Sequence, residues 1–275
     1  MRFGIYADLL PVATRKAIRV NFRPLNLVPV ACVVASALLA IVSGSACAQG
    51  GPPMVTDDPE TPGADRWEIN LAALGAHSRS GRWDVSVPDA DINYGWGDRV
   101  QLKLDVPWSF ARESGEGWKA GLGTVNTGVK WRFLDGGEDG LSMSTYPQYL
   151  SAWSASSKRR GTAATDREFF LPVEVATKVG EFGLDGEVGH NFVRPGHDQW
   201  VVGGILAHGC GADRECLFEL HEADAPHESH TLLNLGMHWK LSDSLVLLAS
   251  AGHEFSPRDD GQQSLVFYLG LQLLR

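Results

Sequence analysis

Gln262–Arg275 reads QQSLVFYLGLQLLR, and its alternation places Leu265, Phe267, Leu269, Leu271 and Leu273 on one face of a strand. The same pattern recurs in Trp67-Ile69-Leu71-Ala73, Val100-Leu102-Leu104-Val106, Val125-Thr127-Val129-Trp131-Phe133 and Leu233-Leu235-Met237-Trp239. Charges and amides fill the positions between: Glu68 and Asn70; Gln101, Lys103 and Asp105; Asn126, Lys130 and Arg132; Asn234, His238 and Lys240. A period of two sends alternate side chains to opposite faces of a sheet. One apolar and one ionic face, repeated along the chain, suit a closed barrel with lipid outside and polar groups inside. A soluble, half-buried sheet alternates in the same way, so other features must choose between them.

The first 48 residues bear on that choice. Arg2, Arg15, Lys16, Arg19 and Arg23 precede the apolar run Val28–Val42, which ends in Ser43-Gly44-Ser45-Ala46-Cys47-Ala48. This is the pattern of a secretory signal cleaved after Ala48. A lipoprotein reading at Cys47 is weaker, because Gly44 stands where a bulky apolar residue is wanted. No later segment approaches the roughly 20 apolar residues of a spanning helix. An exported chain of this kind is periplasmic, secreted or an outer-membrane barrel, and in lipid only helices and closed barrels satisfy every backbone group.

The signal carries five of the 24 Lys and Arg and one of the 33 acids, leaving 19 against 32 and a formal net charge of −13. That balance disfavours nucleic acid, since phosphate neutralisation needs basic surface. Cys210 and Cys216 remain after processing, and in an oxidising compartment they would close a small loop. A metal pair is the alternative, although there is no second pair of cysteines to complete it.

Short breaks at Gly97-Asp98, Asp135-Gly136-Gly137, Gly180–Gly183, Gly209–Glu215 and Ser242-Asp243 alternate with longer polar ones. The longer ones are His77–Asp84, Glu113–Lys119, Ser154–Asp166, Arg194–Asp198, Ala223–Ser229 and Ser256–Gly261. Short periplasmic turns and longer outer loops are the asymmetry of outer-membrane barrels. The spacing predicts an all-β, antiparallel transmembrane barrel of about twelve strands, beginning near 66, 85, 99, 121, 141, 167, 183, 199, 216, 230, 244 and 263. Residues 66–275 allow 17.5 residues per strand and connection, which leaves room for spanning strands of roughly 9–11 residues. Among nine tryptophans, Trp67, Trp96, Trp108, Trp131, Trp200 and Trp239 share the parity of the apolar face near strand ends, as an interfacial girdle requires. Tryptophans of a soluble sandwich more often sit mid-strand in the core.

Gly51–Pro62 (GPPMVTDDPETP), followed by Trp67-Glu68-Ile69-Asn70, resembles the opening of a family described as phenol-degradation (meta-pathway) outer-membrane proteins. Asn93-Tyr94-Gly95, Gln101-Leu102, Val106-Pro107 and Gly121-Leu122-Gly123 leading to Gly128–Phe133 continue that likeness across the mature chain. The resemblance implies a β-barrel transporter of ill-defined ligand, with no catalytic set to carry over. Leu274-Arg275 departs from the aromatic end that the barrel-assembly machinery reads in many barrels.

Three regions follow: the signal 1–48, a Pro/Gly-rich segment 49–65 able to plug the barrel, and the barrel 66–275. Parity assigns Glu68, Lys103, Asp105, Lys130, Arg132, Glu174, Lys178, Asp185, Glu187, Glu219 and Lys240 to the lumen. They either line an ion path or pair with one another and fill a narrow interior. His221, Glu222, Asp224, His227, Glu228 and His230 concentrate imidazole and carboxylate but match no defined metal spacing, so a solvated acidic loop is the plainer reading. Ser250, His253 and Glu254 are the suspects for a lipid hydrolase at the rim, on residue type alone. Gly121-Leu-Gly123 is not a phosphate loop, since no Lys-Ser/Thr follows. The expectation is an outer-membrane passive channel for small, aromatic or apolar solutes, with no metal, cofactor or catalytic site. Its partners are outer-membrane lipids, a small solute and, during biogenesis, the assembly machinery. A structural or surface-interaction barrel comes second and the rim hydrolase third.

Overall fold

The computed structural model describes residues 50–137, 140–226, 228–256 and 262–275. The expected signal, His227 and most of Ser256–Gly261 lie outside them. Strands run in chain order as β1 (Trp67–Ser78), β2 (Trp83–Gly95), β3 (Val100–Arg112), β4 (Lys119–Leu122), β5 (Thr124–Leu134), β6 (Ser142–Thr145) and β7 (Gln148–Ala152). A short helix, α1 (Ala155–Arg160), precedes β8 (Arg167–Val179), β9 (Phe182–Arg194), β10 (Gln199–Gly211), β11 (Arg214–Ala225), β12 (Glu228–Ser242), β13 (Leu245–Phe255) and β14 (Gln263–Leu274). All pairings are antiparallel, and β1 closes on β14 from Glu68↔Leu274 to Ser78↔Gln263. Closure removes the sheet edges, so no ladder is left open toward lipid.

The fourteen strands make twelve crossings of the wall, because two crossings are each split in two. Pro147 has no N–H to donate and separates β6 from β7, yet its carbonyl still accepts from Val129 N (3.1 Å), so the register runs on. Between β4 and β5 the register against β3 slips by one residue, from Trp108↔Leu122 to Asp105↔Asn126. Gly123 occupies that slip, where a Cβ would lie 2.2 Å from Ser109 Oγ. An extra residue at Val87-Pro88 makes a like shift of β2 against both neighbours. Each bulge reverses which parity faces inward along its strand.

Leu102, Leu104, Leu269, Leu271 and Leu273 are exposed on the outside, while Asn70, Lys103, Asp105, Lys130 and Glu219 are buried inside. Val125 is a correction: it shares the outward parity of its neighbours in β5 but is fully buried, two residues from the slip at Gly123. Observed strand starts fall within two residues of those expected. The connections are less asymmetric than expected, because the unbroken crossings run 11–15 residues and absorb much of each polar break. Ala223–Ser229 shrinks to residues 226–227 between β11 and β12, and the connection from β5 to β6, expected to be short, spans 135–141. The longest, 153–166, contains α1 and lies at the end opposite the start of β1 and the finish of β14.

Candidate functional site

Residues 50–58 turn back inside the ring before β1 begins. Gly51, at φ 82°, allows the reversal, closed by Gly51 N donating to Thr56 O (3.0 Å) and Met54 N to Gly51 O (2.8 Å). Met54 packs with Ile205, Ala207 and Leu217, and Gly236 provides its notch, where a Cβ would stand 1.8 Å from Met54 Cε. Gly203 accommodates Thr56 in the same way: a Cβ there would meet Thr56 Oγ1 at 2.1 Å. Glu219 accepts from Val55 N (2.9 Å) and Thr56 N (2.5 Å), while Asn234 holds its other oxygen (3.0 Å). Ser250 Oγ donates to Pro53 O (2.9 Å), and His238 Nε2 to Pro52 O (3.2 Å).

Across the lumen, Lys130 Nζ bonds Asp57 Oδ1 (2.9 Å) and Asp58 O and stands 3.6 Å from Glu174. Tyr146 lies beneath this ammonium, its ring centroid 4.7 Å away. Burial is the largest single influence on the Asp57 carboxyl and raises it, but the positive charges around it, Lys130 foremost and Lys103 behind, together with the hydrogen bond from Lys130, hold it below the ordinary aspartate value. Burial dominates at Asp58, which is raised well above that value although Lys130 opposes the shift. The chain then crosses the rim, where Glu60 meets Arg132 (2.5 Å), Thr61 Oγ1 donates to Asp98 O (2.9 Å) and Asp65 accepts from Tyr94 (2.8 Å). A polar cleft of about 50 Å³ remains beside the segment, lined in part by Asp57, Asp58, Glu68, Asp91, Lys103 and Lys130. That holds a few waters.

The residues assigned to the lumen divide by depth. Lys103, Asp105, Lys130, Glu174, Asp185, Glu187 and Glu219 are buried within it, and Lys103 pairs with Asp91 (2.9 Å). Glu68, which accepts from Asn70, and Lys178 are half-buried. Arg132 belongs to the rim network, and Lys240 is exposed at the rim beside Asp243 (2.8 Å).

From the opposite end, residues 153–166 fold over the inner face of β4 and β5. Ser157, Thr162, Ala163 and Ala164 are buried, Ala164 N donates to Thr124 Oγ1 (2.8 Å), and Arg82 reaches Gly161 O (3.1 Å). Gly121 makes room for this loop, since a Cβ would come within 2.8 Å of Ser157 Oγ and Thr162 Oγ1.

The interior also carries apolar surface that alternation did not reveal. Ala72, Leu74, Leu248 and Tyr268 cluster on one wall with Val246 against them, and Leu150, Phe170 and Val201 cluster elsewhere. A clue existed in the unbroken Leu245-Val246-Leu247-Leu248, which cannot be apolar on one face only.

Ser250 and His253 occupy opposite parities of β13. His253 Nδ1 accompanies Ser264 O (2.8 Å), and Glu254 pairs with His230 (2.7 Å), so the hydrolase suspects do not converge. Glu222 is taken by Ser229 and Thr231, and among the described residues no three His, Cys, Asp or Glu are placed to hold a metal. Cys210 and Cys216 form a disulfide on the outward face, at the bulge where the pairing of β10 with β11 ends. Trp67, Trp96, Trp108, Trp131 and Trp200 are exposed outward, while Trp239 is partly covered by the Arg214 guanidinium, 4.4 Å from its ring centroid.

No protein-family model and no curated protein sequence matches the chain. Solved structures do. The COG4313 outer membrane channel from Pseudomonas putida F1 aligns over 82% of this chain and all of its own, with a TM-score of 0.57 at 11% identity. The NanC porin covers 74% of this chain and 98% of its own (TM-score 0.54, 6% identity). The KdgM porin, solved in complex with disordered oligogalacturonate, covers 75% and 98% (TM-score 0.50, 10% identity). The chain therefore has the closed antiparallel β-barrel fold of outer-membrane porins and channels.

Proposed function

We propose that this protein is an outer-membrane channel for small solutes, closed by residues 50–58 and opened when they leave the lumen. The observation that carries this reading is that the segment is held by groups belonging to the lumen wall: the Glu219 carboxylate, Lys130 and the Gly203 and Gly236 notches. Withdrawing it would bare an aqueous path in a barrel of a size between filled eight-stranded and open sixteen-stranded ones. The apolar wall of Leu74, Leu248 and Tyr268 suits a solute with an aromatic or aliphatic body, in line with the likeness of Gly51–Pro62 to the phenol-degradation family. The acid-rich lumen is ill suited to a polyanion like the oligogalacturonate found with the KdgM porin.

A structural barrel without transport is the second reading, favoured by a lumen filled from both ends. Planar-bilayer conductance separates the two. Gly203→Val places side-chain atoms where Thr56 now sits, and Met54→Glu puts a charge against Ile205, Ala207 and Leu217. Each variant should conduct where the wild type stays near leak. Silent variants that still shift on a heat-modifiability gel would leave the structural barrel standing.

A further inference from the structure

Among the described residues, eleven carboxylates but only two lysines, Lys103 and Lys130, are buried, and all face the lumen or belong to the segment inside it. Several of these acids are matched: Lys103 takes Asp91, Lys130 takes Asp57, Asn191 donates to Glu168 (2.6 Å), and Glu219 caps the segment. The surplus gathers on β8 and β9. Glu174 stands directly across the ladder from Glu187, and Ala176 stands across from Asp185. Like charges directly opposed in a sheet repel. Lys130 reaches Glu174 Oε2, but Glu174 Oε1 and Glu187 Oε1 are enclosed with no hydrogen-bond partner. Asp185 is independent of that pair and points to a ligand by itself. Its side chain is more than nine-tenths buried on the same lumen face, and neither carboxylate oxygen has a hydrogen bond. An enclosed carboxylate without a donor is costly, and a donor carrying positive charge relieves it most.

We propose that Glu174, Asp185 and Glu187 form a binding site for the positively charged end of a solute, an ammonium or guanidinium group, on the path through the barrel. This rests on the channel reading above. Thr56 lies over Gly203, whose ladder partner is Glu187, so the segment that fills the lumen also covers the site. A guanidinium presents several N–H donors in a plane and can engage neighbouring carboxylates together. With the apolar wall of Leu74, Leu248 and Tyr268 also facing the lumen, the solute class is a small amphipathic cation.

The test is equilibrium dialysis of radiolabelled methylguanidinium with the purified full-length barrel in detergent, as wild type and as Met54→Glu. Binding should saturate and be tighter when the segment is displaced. It should weaken by about tenfold or more in Asp185→Asn/Glu187→Gln, the worth of one charge-assisted hydrogen bond. Asp224→Asn, which alters an exposed carboxylate, should leave it unchanged. A heat-modifiability gel confirms folding; should the double variant fail it, Asp185→Asn alone is measured against the same expectation. No saturable binding in either barrel, or equal affinity in the site variant, overturns the assignment. Complete displacement by an equal concentration of Ca²⁺ also overturns it, since the occupant would then be a metal ion. The channel reading fails separately, as a Met54→Glu barrel that binds methylguanidinium but carries no current.

Discussion

At the end of the barrel where β1 starts and β14 finishes, the lumen is filled by a segment tied through charge. Lys130 bonds Asp57 and Asp58, and Glu219 caps two successive backbone N–H groups. At the far end, residues 153–166 fill it through small side chains and neutral bonds: Ala163 and Ala164 buried, Ser157 against Gly121, Thr124 capping Ala164 N. Among the described residues no hydrogen bond or ion pair joins 50–65 to 153–166. The two fillings should therefore answer to different insults. A buried ion pair is brittle, because removing one partner strands the other's charge. A packed loop degrades in small steps as side chains and backbone adjust. One end is built like a latch, the other like a lining.

Lys130→Met should give the largest effect. Breaking a buried pair costs roughly 3–5 kcal/mol, and here the loss falls on the contact that holds Asp57 inside. With Thr56→Cys as reporter, alkylation by a membrane-impermeant maleimide should speed up by about a hundredfold or more. Cleavage by trypsin at Lys158, Arg159 and Arg160 in the far loop should not change. Slow labelling in the variant would show that Glu219 and the Gly203 and Gly236 notches hold the segment without the charge.

Gly121→Val should act on the opposite end and more weakly. Its Cβ meets only the tips of Ser157, Thr162 and Arg160, which can swing aside, so overpacking of about 1–3 kcal/mol is the expected cost. Trypsin should then cut the loop faster, by about tenfold for each 1.4 kcal/mol of destabilisation, while Thr56→Cys labels at its wild-type rate. Faster labelling as well would mean that the two fillings are coupled through the wall of β3, β4 and β5.

How much of this could be read in the sequence differs between wall and interior. The wall was legible: Val100–Val106 and Leu265–Leu273 face outward as their alternation requires, and the strand starts fall within two residues of expectation. Lipid forces that regularity, since every outward position meets the same solvent. Where a bulge intervenes, the rule fails locally, as at Val125 beside Gly123 and along β2 on either side of Pro88. Inside, only part could be read. Parity placed Lys130 and Glu219 in the lumen, but neither composition nor spacing couples Lys130 to Asp57, 73 positions away. The inward Leu74 and Leu248 escaped notice because a lumen packed with protein tolerates apolar side chains, and polarity then ceases to mark the inner face.

The disulfide supplies the smallest expected effect and a control on both ends. Cys210 and Cys216 are six positions apart, exposed on the outward face, and bonded to neither filling. Closing so short a loop removes few conformations from the unfolded chain, so its stabilisation should not exceed about 2 kcal/mol. The pairing of β10 with β11 runs from Trp200↔Asp224 to Gly211↔Arg214 and already fixes the hairpin that the bridge crosses. Cys210→Ala/Cys216→Ala should therefore assemble, keep its heat-modifiable mobility, and leave both Thr56→Cys labelling and loop proteolysis at wild-type rates. In the wild type, peptide mapping without reductant should recover the two cysteines joined. Were the double variant to label quickly at Thr56→Cys, the turn at residues 212–213 would be transmitting strain along β10 to the Gly203 notch, and the latch would extend beyond the ion pair that now defines it.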